Sequence, residues 1–302
     1  MLSLGVFGTA KNTGKTTVFN TALRCLWGFG RVAITSIGFD GEDLDHITGL
    51  PKPKVVVDEG IWIVTSKGVT WRATARLELV RGLDVDTPFG SLEIYKAKSP
   101  GRVPLVGPNR ADDLLKVKEI LAGYGVELFL VDGAINRMIP FQYVDLVILA
   151  TGASRSTNIE ELLLETEAIV KALFLPKGEI GKLELLEGPI SFEVLKSYEG
   201  RGILVESPFH VLLLIDYRNL LDLLRKVEVF VLRKPELLCI TLNPTYPERR
   251  IEGFRLSMID FSSLKSFLSK KLGVPCIDVL REEDELCELL NARVRRGWAF
   301  TT

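Results

Sequence analysis

The sequence predicts an α/β protein: a mostly parallel, doubly wound sheet flanked by helices, with β-hairpin elaborations and an inserted α/β lobe. Three observations carry this. Short apolar runs of strand length recur at 2–7, 31–37, 127–133, 144–150, 237–242 and 274–280, and read as buried strands. Stretches with apolar residues at helical spacing, at 16–26, 110–122, 159–173 and 261–272, alternate with them, the order expected of parallel βαβ units. A second, smaller alternation opens at Pro176-Lys177-Gly178 and closes before the run at 237. The core is therefore assigned to 1–175 and 236–302, with a hairpin elaboration at about 52–106 and an inserted subdomain at 176–235.

A chain of 302 residues, 47% hydrophobic and 25% charged, can bury a substantial core as one large domain or two smaller ones. A formal net charge of −1 gives no bulk attraction to nucleic acid or to an acidic membrane, so neither is expected as a partner. Arg293, Arg295 and Arg296 form a local basic end that reads as a solvated tail. The four cysteines are widely spaced without a Cys-x-x-Cys, so metal or disulfide use is not expected, and Cys25, Cys239 and Cys276 read as small core residues. No apolar run approaches the roughly 18 residues of a membrane span, and no secretory signal is legible, which makes the cytoplasm the expected compartment. Gln142 is the single glutamine, and Met and Cys are scarce, a composition that leans towards a thermophilic source.

Between the first strand and the first helix lies Gly8-Thr9-Ala10-Lys11-Asn12-Thr13-Gly14-Lys15-Thr16-Thr17. A strand, a glycine-bearing turn and a helix start are what a phosphate-binding loop requires, because backbone N–H groups and the positive end of the helix dipole then face an anion. In that pattern the backbone of Asn12, Thr13, Gly14, Lys15, Thr16 and Thr17 surrounds the phosphates, Lys15 reaches the β- and γ-phosphates and the Thr16 hydroxyl ligates Mg²⁺. The pattern wants glycine six residues before its lysine. Thr9 stands there, and Gly8 lies one residue earlier. A tight turn with an exposed lysine would not explain why Gly, Lys and two Thr coincide at a helix start.

The strand at 31–37 leads into an acidic loop holding Asp40, Glu42, Asp43, Asp45 and His46. Ligands bind at the carboxyl ends of strands in doubly wound sheets. Asp40, nearest the strand end, is the candidate to ligate Mg²⁺ directly or through water, or to position an attacking water. The competing reading is a solvated acidic loop, and His46 has no partner legible in sequence. Residues 54–58 and 61–65, joined by Glu59-Gly60, read as one hairpin; 91–97 and 102–106, joined by Lys98-Ser99-Pro100-Gly101, read as another. A helix opened by Pro108 or Asn109 runs to about 122 and ends at Gly123 and Gly125.

The next strand ends in Asp132-Gly133, the form of the acidic strand that helps hold Mg²⁺ beside a γ-phosphate; the plainer alternative is a strand-terminating turn residue. Asn136 and Arg137 follow as candidates to sense the γ-phosphate or a partner. The loop 151–158 either walls a site, with Arg155 as a charge stabiliser, or is an ordinary βα loop with Asn158 as helix N-cap. The lobe reads as βαββαβ, with strands at 182–186, 202–206, 210–214 and 227–232 and helices at 190–198 and 218–225. It carries no chemical constellation, and His210 reads as packed. Asn243 ends the strand at 237–242, where a polar side chain could contact a purine edge. The chain lacks the Asn-Lys-x-Asp guanine signature, which favours adenine. A helix at 283–292 completes the reading.

Lys11 to Thr17, Val131-Asp132-Gly133, Asn243 and the phrase Gly273-Val274-Pro275 together resemble the SIMIBI division of phosphate-loop NTPases. That division includes dethiobiotin synthetase, the molybdopterin-guanine dinucleotide accessory proteins and the partition and nitrogenase-iron-protein ATPases. The partition-type members carry an extra signature lysine five residues before the loop lysine; Ala10 stands there, with Lys11 one residue later. Four further phrases are Thr35-Ser36-Ile37-Gly38 with Asp40-Gly41-Glu42, Thr48-Gly49-Leu50-Pro51-Lys52-Pro53, Val131-Asp132-Gly133-Ala134 and Ala150-Thr151-Gly152-Ala153. They are similar to the ATP-dependent reactivating subunit of lysine 5,6-aminomutase, a cobalamin- and pyridoxal-phosphate-dependent enzyme.

The expectation is thus a P-loop ATPase that binds ATP and Mg²⁺. Lys15, Asp132 and Asp40 form its catalytic set, Asn12 to Thr17 and Asn243 its nucleotide contacts, and Thr16 and Asp132 its metal ligands. No arginine finger is evident, so stimulation by a protein partner or by homodimerisation is expected, and the resemblance implies an aminomutase-type partner. Two other classes compete. A ligase of the dethiobiotin-synthetase type would need cationic groups beside the γ-phosphate, for which Lys52, Lys54 and Arg137 are the candidates. A regulatory protein would bind nucleotide without hydrolysing it.

Overall fold

The computed structural model describes residues 1–40, 54–134, 137–250 and 253–299. The acidic-loop residues Glu42, Asp43, Asp45 and His46, with Lys52 and Asn136, lie outside them.

A nine-stranded sheet organises the chain, in the order β18-β15-β11-β1-β10-β2-β5-β7-β6. Its strands are β1 (Leu2–Gly8), β2 (Val32–Ser36), β5 (Trp62–Ser66), β6 (Leu77–Thr87), β7 (Gly90–Ala97), β10 (Leu128–Ala134), β11 (Leu146–Gly152), β15 (Glu236–Asn243) and β18 (Cys276–Asp278). From β18 to β5 neighbouring strands are parallel, and only β7 and β6 at one edge run antiparallel. Side chains alternate across the pleat, which sorts the apolar runs into two cores. Leu4, Val6, Leu128, Leu130, Leu146 and Ile148 face one side with Val18 and Phe19 of α1 (Lys15–Cys25) and Leu286 and Leu290 of α8 (Glu283–Ala299). Phe7, Phe129, Val131, Val147 and Leu149 face the other, with Leu114 and Val117 of α2 (Ala111–Gly123) and Leu162 and Ile169 of α3 (Ile159–Leu173). Because both faces are covered, the strands read as unbroken apolar runs.

Both expected hairpins are corrected. β4 (Val55–Val57) turns through Gly60 into β5, yet β4 pairs with β8 (Gly101–Val103), while β5 joins the main sheet beside β2 and β7. The hairpin that does form is β6–β7, extending the main sheet. β6 escapes sequence reading because, as an edge strand, it is mostly exposed and carries Arg81, Gly82, Asp84 and Asp86. A second unexpected hairpin, β16 (Thr245–Arg250) with β17 (Gly253–Met258), leaves directly from the end of β15.

The lobe forms a three-stranded parallel sheet of β12 (Glu184–Leu186), β13 (Gly202–Val205) and β14 (Glu228–Val231). Helices α4 (Phe192–Lys196), α5 (Phe209–Leu212) and α6 (Tyr217–Leu223) accompany it. The strand expected at 210–214 is helix α5: Phe209, His210, Val211 and Leu212 are all buried, so a short apolar run has no period that distinguishes strand from helix. Phe209 packs edge-on against Phe7 of β1, with ring centroids 6.1 Å apart, so the lobe shares the core of the main sheet.

Two cysteine and charge expectations also change. Cys25 at the end of α1 and Cys287 in α8 form a disulfide, with Cα atoms 5.2 Å apart and a sequence separation of 262. Sequence spacing is silent on such a pair because the two helices meet only in the tertiary fold. Cys239 and Cys276 are free and buried, as expected. The helix expected at 283–292 continues to 299, and Arg293, read as part of a solvated basic end, pairs with Glu236. Among the described residues no helix is long and apolar enough to cross a membrane.

His210 is buried, its Nδ1 2.9 Å from the Ser207 hydroxyl and its Nε2 3.2 Å from Glu206. Burial lowers its pKa; Glu206 opposes the shift and Arg233 adds to it. A depressed histidine pKa means the unfolded chain takes up the proton first. Stability is therefore expected to fall as pH drops below about 6.5, the unperturbed histidine value. Thermal melts of the native protein and His210→Gln between pH 5 and 7.5 should show this slope weakened in the variant.

Candidate functional site

Parallel register brings the carboxyl ends of five strands to one edge. Gly8 pairs with Ala134 and Ala150, Asp132 with Ser36, and Gly152 with Asn243. β1 therefore delivers its loop between the ends of β10 and β11, where sheet order also reverses direction, the customary ligand crevice of such sheets.

The loop from Gly8 to Thr17 is closed from within. The Thr13 hydroxyl donates to the Ala10 carbonyl at 3.1 Å. Gly8 does fill a glycine role despite its early position, since a Cβ there would come 2.7 Å from Thr13 Oγ1. Thr9, standing where glycine was expected, continues the strand: its N–H donates to the Ala150 carbonyl and its hydroxyl to Thr151 Oγ1 at 3.0 Å. Asn12 (φ 62°) is the one non-glycine residue with positive φ among those described, and Gly14 follows at φ 81°. Left-handed residues leading into a right-handed helix turn successive N–H groups into a shared concavity suited to an anion.

Helix α1 begins at Lys15 with no side-chain cap and no acidic residue in its first turn. Its first N–H donors thus have no cap, and a lysine at that end opposes the helix dipole. Negative charge is at hand: Lys15 Nζ lies 2.5 Å from Oδ2 of the fully buried Asp132. Thr16, one residue on, is partly exposed in the same first turn.

Asn243, the candidate purine contact, is tied into the loop. Its Nδ2 donates to the Asn12 carbonyl at 2.9 Å, and its Oδ1 accepts from the backbone N–H and hydroxyl of Thr245. It packs against Gly14, where an added Cβ would sit 3.3 Å from Asn243 Cβ. The residue therefore braces the strained turn from below. Asp40 ends the short strand β3 (Phe39–Asp40), paired with β9 (Leu105–Val106), which fixes its backbone just past β2.

Two arginines complete the surroundings. Arg155 Nε donates to both carboxylate oxygens of Glu165 on α3, at 2.8 and 3.0 Å, so the side chain is anchored to the helix behind its loop. Asn158 caps α3 as expected, accepting from Glu160 and Glu161. Arg137 lies against the end of β2, its guanidinium occupying the space a Cβ on Gly38 would take, and its buried Nε has no hydrogen-bond partner among the described residues. Sequence reasoning could single out Arg137 but not this placement, which depends on the β2 turn.

Among the described residues no group of three or more His, Cys, Asp or Glu side chains is placed to hold a metal ion. The donors present, one hydroxyl at a helix start and one buried carboxylate, are the sparse set that suits Mg²⁺, which keeps waters and shares its shell with phosphate oxygens. No protein-family model matches this chain, and no curated protein is significantly similar to it.

Proposed function

We propose that the chain is a P-loop ATPase that binds Mg·ATP and couples slow hydrolysis to the remodelling or reactivation of a partner enzyme. The observation that carries this reading is Lys15 at an uncapped helix start, 2.5 Å from buried Asp132. In this reading backbone N–H groups from Asn12 to Thr17 and the Lys15 ammonium hold the β- and γ-phosphates. Asn243 keeps the turn in shape, and the absent guanine signature favours adenine. Thr16 and Asp132 would hold Mg²⁺, with Asp40 beside its water shell, and the bound ion would neutralise charge shared by the two terminal phosphates. Positioning and charge stabilisation supply most of the catalysis in such a transfer. The anchoring of Arg155 by Glu165 leaves that task short of a cation, which supports stimulation by a partner or by a second copy. An aminomutase-type partner rests on the sequence resemblance alone.

The guanidinium of Arg137 at the end of β2 favours one rival, a ligase in which it would hold an acceptor carboxylate. Phosphate release from Mg·ATP, measured with no small acceptor present, separates the two. Release that Lys15→Ala eliminates supports the ATPase; release seen only on adding a carboxylate or amine substrate supports the ligase. Tight binding without release under any condition points to a regulatory role.

Asn243→Ala tests the brace. It removes the donor to Asn12 and should lower ATP affinity roughly tenfold, at a stability cost of about 1 kcal/mol. Isothermal titration and thermal melts would measure the two, and unaltered affinity would mean the turn holds its shape without Asn243.

A further inference from the structure

A second cavity lies at the opposite end of the sheet. It is a groove of about 790 Å³ at the amino ends of β1, β11 and β15, bordered by α2 and by the segments that follow α3 and precede β15. With β1 seven residues long, it stands about 20 Å from the loop that carries Lys15.

Its chemistry is uneven in an informative way. Leu115, Leu173 and Leu237 give it an apolar lining. Of its carboxylates, Asp145 accepts from Ser3 and Lys118, and Glu236 pairs with Arg293; among the described residues Glu119 alone lacks a cation. Three cations, Lys177, Arg233 and Lys234, line the same groove with no carboxylate partner among the described residues. Two of them are held by other means. Arg233 stacks on the Tyr143 ring at 5.0 Å, and Lys234 Nζ donates to the Leu175 carbonyl at 2.5 Å. The Lys234 pKa is lowered, by burial first and then by Lys177. Three cations gathered over apolar surface repel one another, and an anion between them relieves that cost.

We propose that this groove is a second ligand site, for a small organic anion with an apolar body, its charge among Lys177, Arg233 and Lys234 and its body on Leu115, Leu173 and Leu237. The assignment is independent of the nucleotide reading.

The test uses anilinonaphthalene sulfonate, an apolar aromatic anion, titrated by fluorescence into the intact chain. Octanoate serves as competitor and octanol as its neutral counterpart. One saturable site is expected, displaced by octanoate far better than by octanol. Binding should weaken at least tenfold in the Lys177→Gln/Lys234→Gln double variant and stay unchanged in Lys15→Ala. Circular dichroism checks that the variants fold; Lys177 is exposed and Lys234 half-buried, and Arg233→Gln gives a second, independent reading. The proposal is overturned by absence of saturable binding, by full affinity in the charge variants, by equal displacement with octanol, or by displacement with Mg·ATP, which would put the probe at the other site.

Discussion

Replacing Lys15 with alanine is expected to weaken Mg·ATP binding on the order of 100-fold, about 3 kcal/mol, the loss of charge-assisted bonds to the phosphates. The same substitution should also destabilise the fold. Asp132 is fully buried and would lose the ammonium now 2.5 Å away, and stripping one partner from a buried pair costs on the order of 3 kcal/mol. The two effects can be separated. Lys15→Ala combined with Asp132→Asn removes the buried charge along with its cation, so it should recover much of the stability while binding stays weak. Isothermal titration reports the first quantity and denaturant melts the second. Undiminished ATP affinity in Lys15→Ala would sink the phosphate-loop assignment, whatever happened to stability.

Reducing the Cys25–Cys287 bridge, or replacing Cys287 with serine, should lower the melting temperature by roughly 5 to 8 °C. The bridge closes nearly the whole chain, its cysteines 262 positions apart. Chain-entropy reasoning puts its contribution near 5 kcal/mol at most, and a protein of this size loses only a degree or two per kcal/mol. The neighbouring Arg24–Glu283 pair joins the same two helices but is exposed and contributes little by comparison. Calorimetry with and without dithiothreitol measures the effect; identical melts would show that the bridge does not form in solution. ATP affinity should be unaffected, because Cys25 sits at the end of α1 farthest from Lys15.

Much of the parallel core was legible because its signals are local. An apolar run covered on both faces, a helix of period 3.6 and a glycine-bearing turn between them can each be read within a dozen residues. Helix α3 was recovered at both ends, since Asn158 supplies its own cap. Edge structure was not legible. β6 buries only Leu83 and Val85 along eleven residues, and the β4 and β5 segments, adjacent in sequence, bond to different strands. The segment at 210–214 misled because four buried residues in a row carry no period, although His210 is packed as expected.

At the candidate site the division is sharper. Sequence alone determined the chemical inventory: Lys15 and Thr16 at a helix start, Asp132 and Asn243 at strand ends, and a displaced glycine before them. Tertiary structure decided what these residues do to one another. It set Lys15 against Asp132 across 117 positions and turned Asn243 to the Asn12 carbonyl across 231. It also tied the far end of α1 to Cys287. The reason is physical: composition and period follow from neighbours along the chain, whereas a salt bridge, a brace or a disulfide follows from sheet order, which joins strands that the sequence keeps far apart.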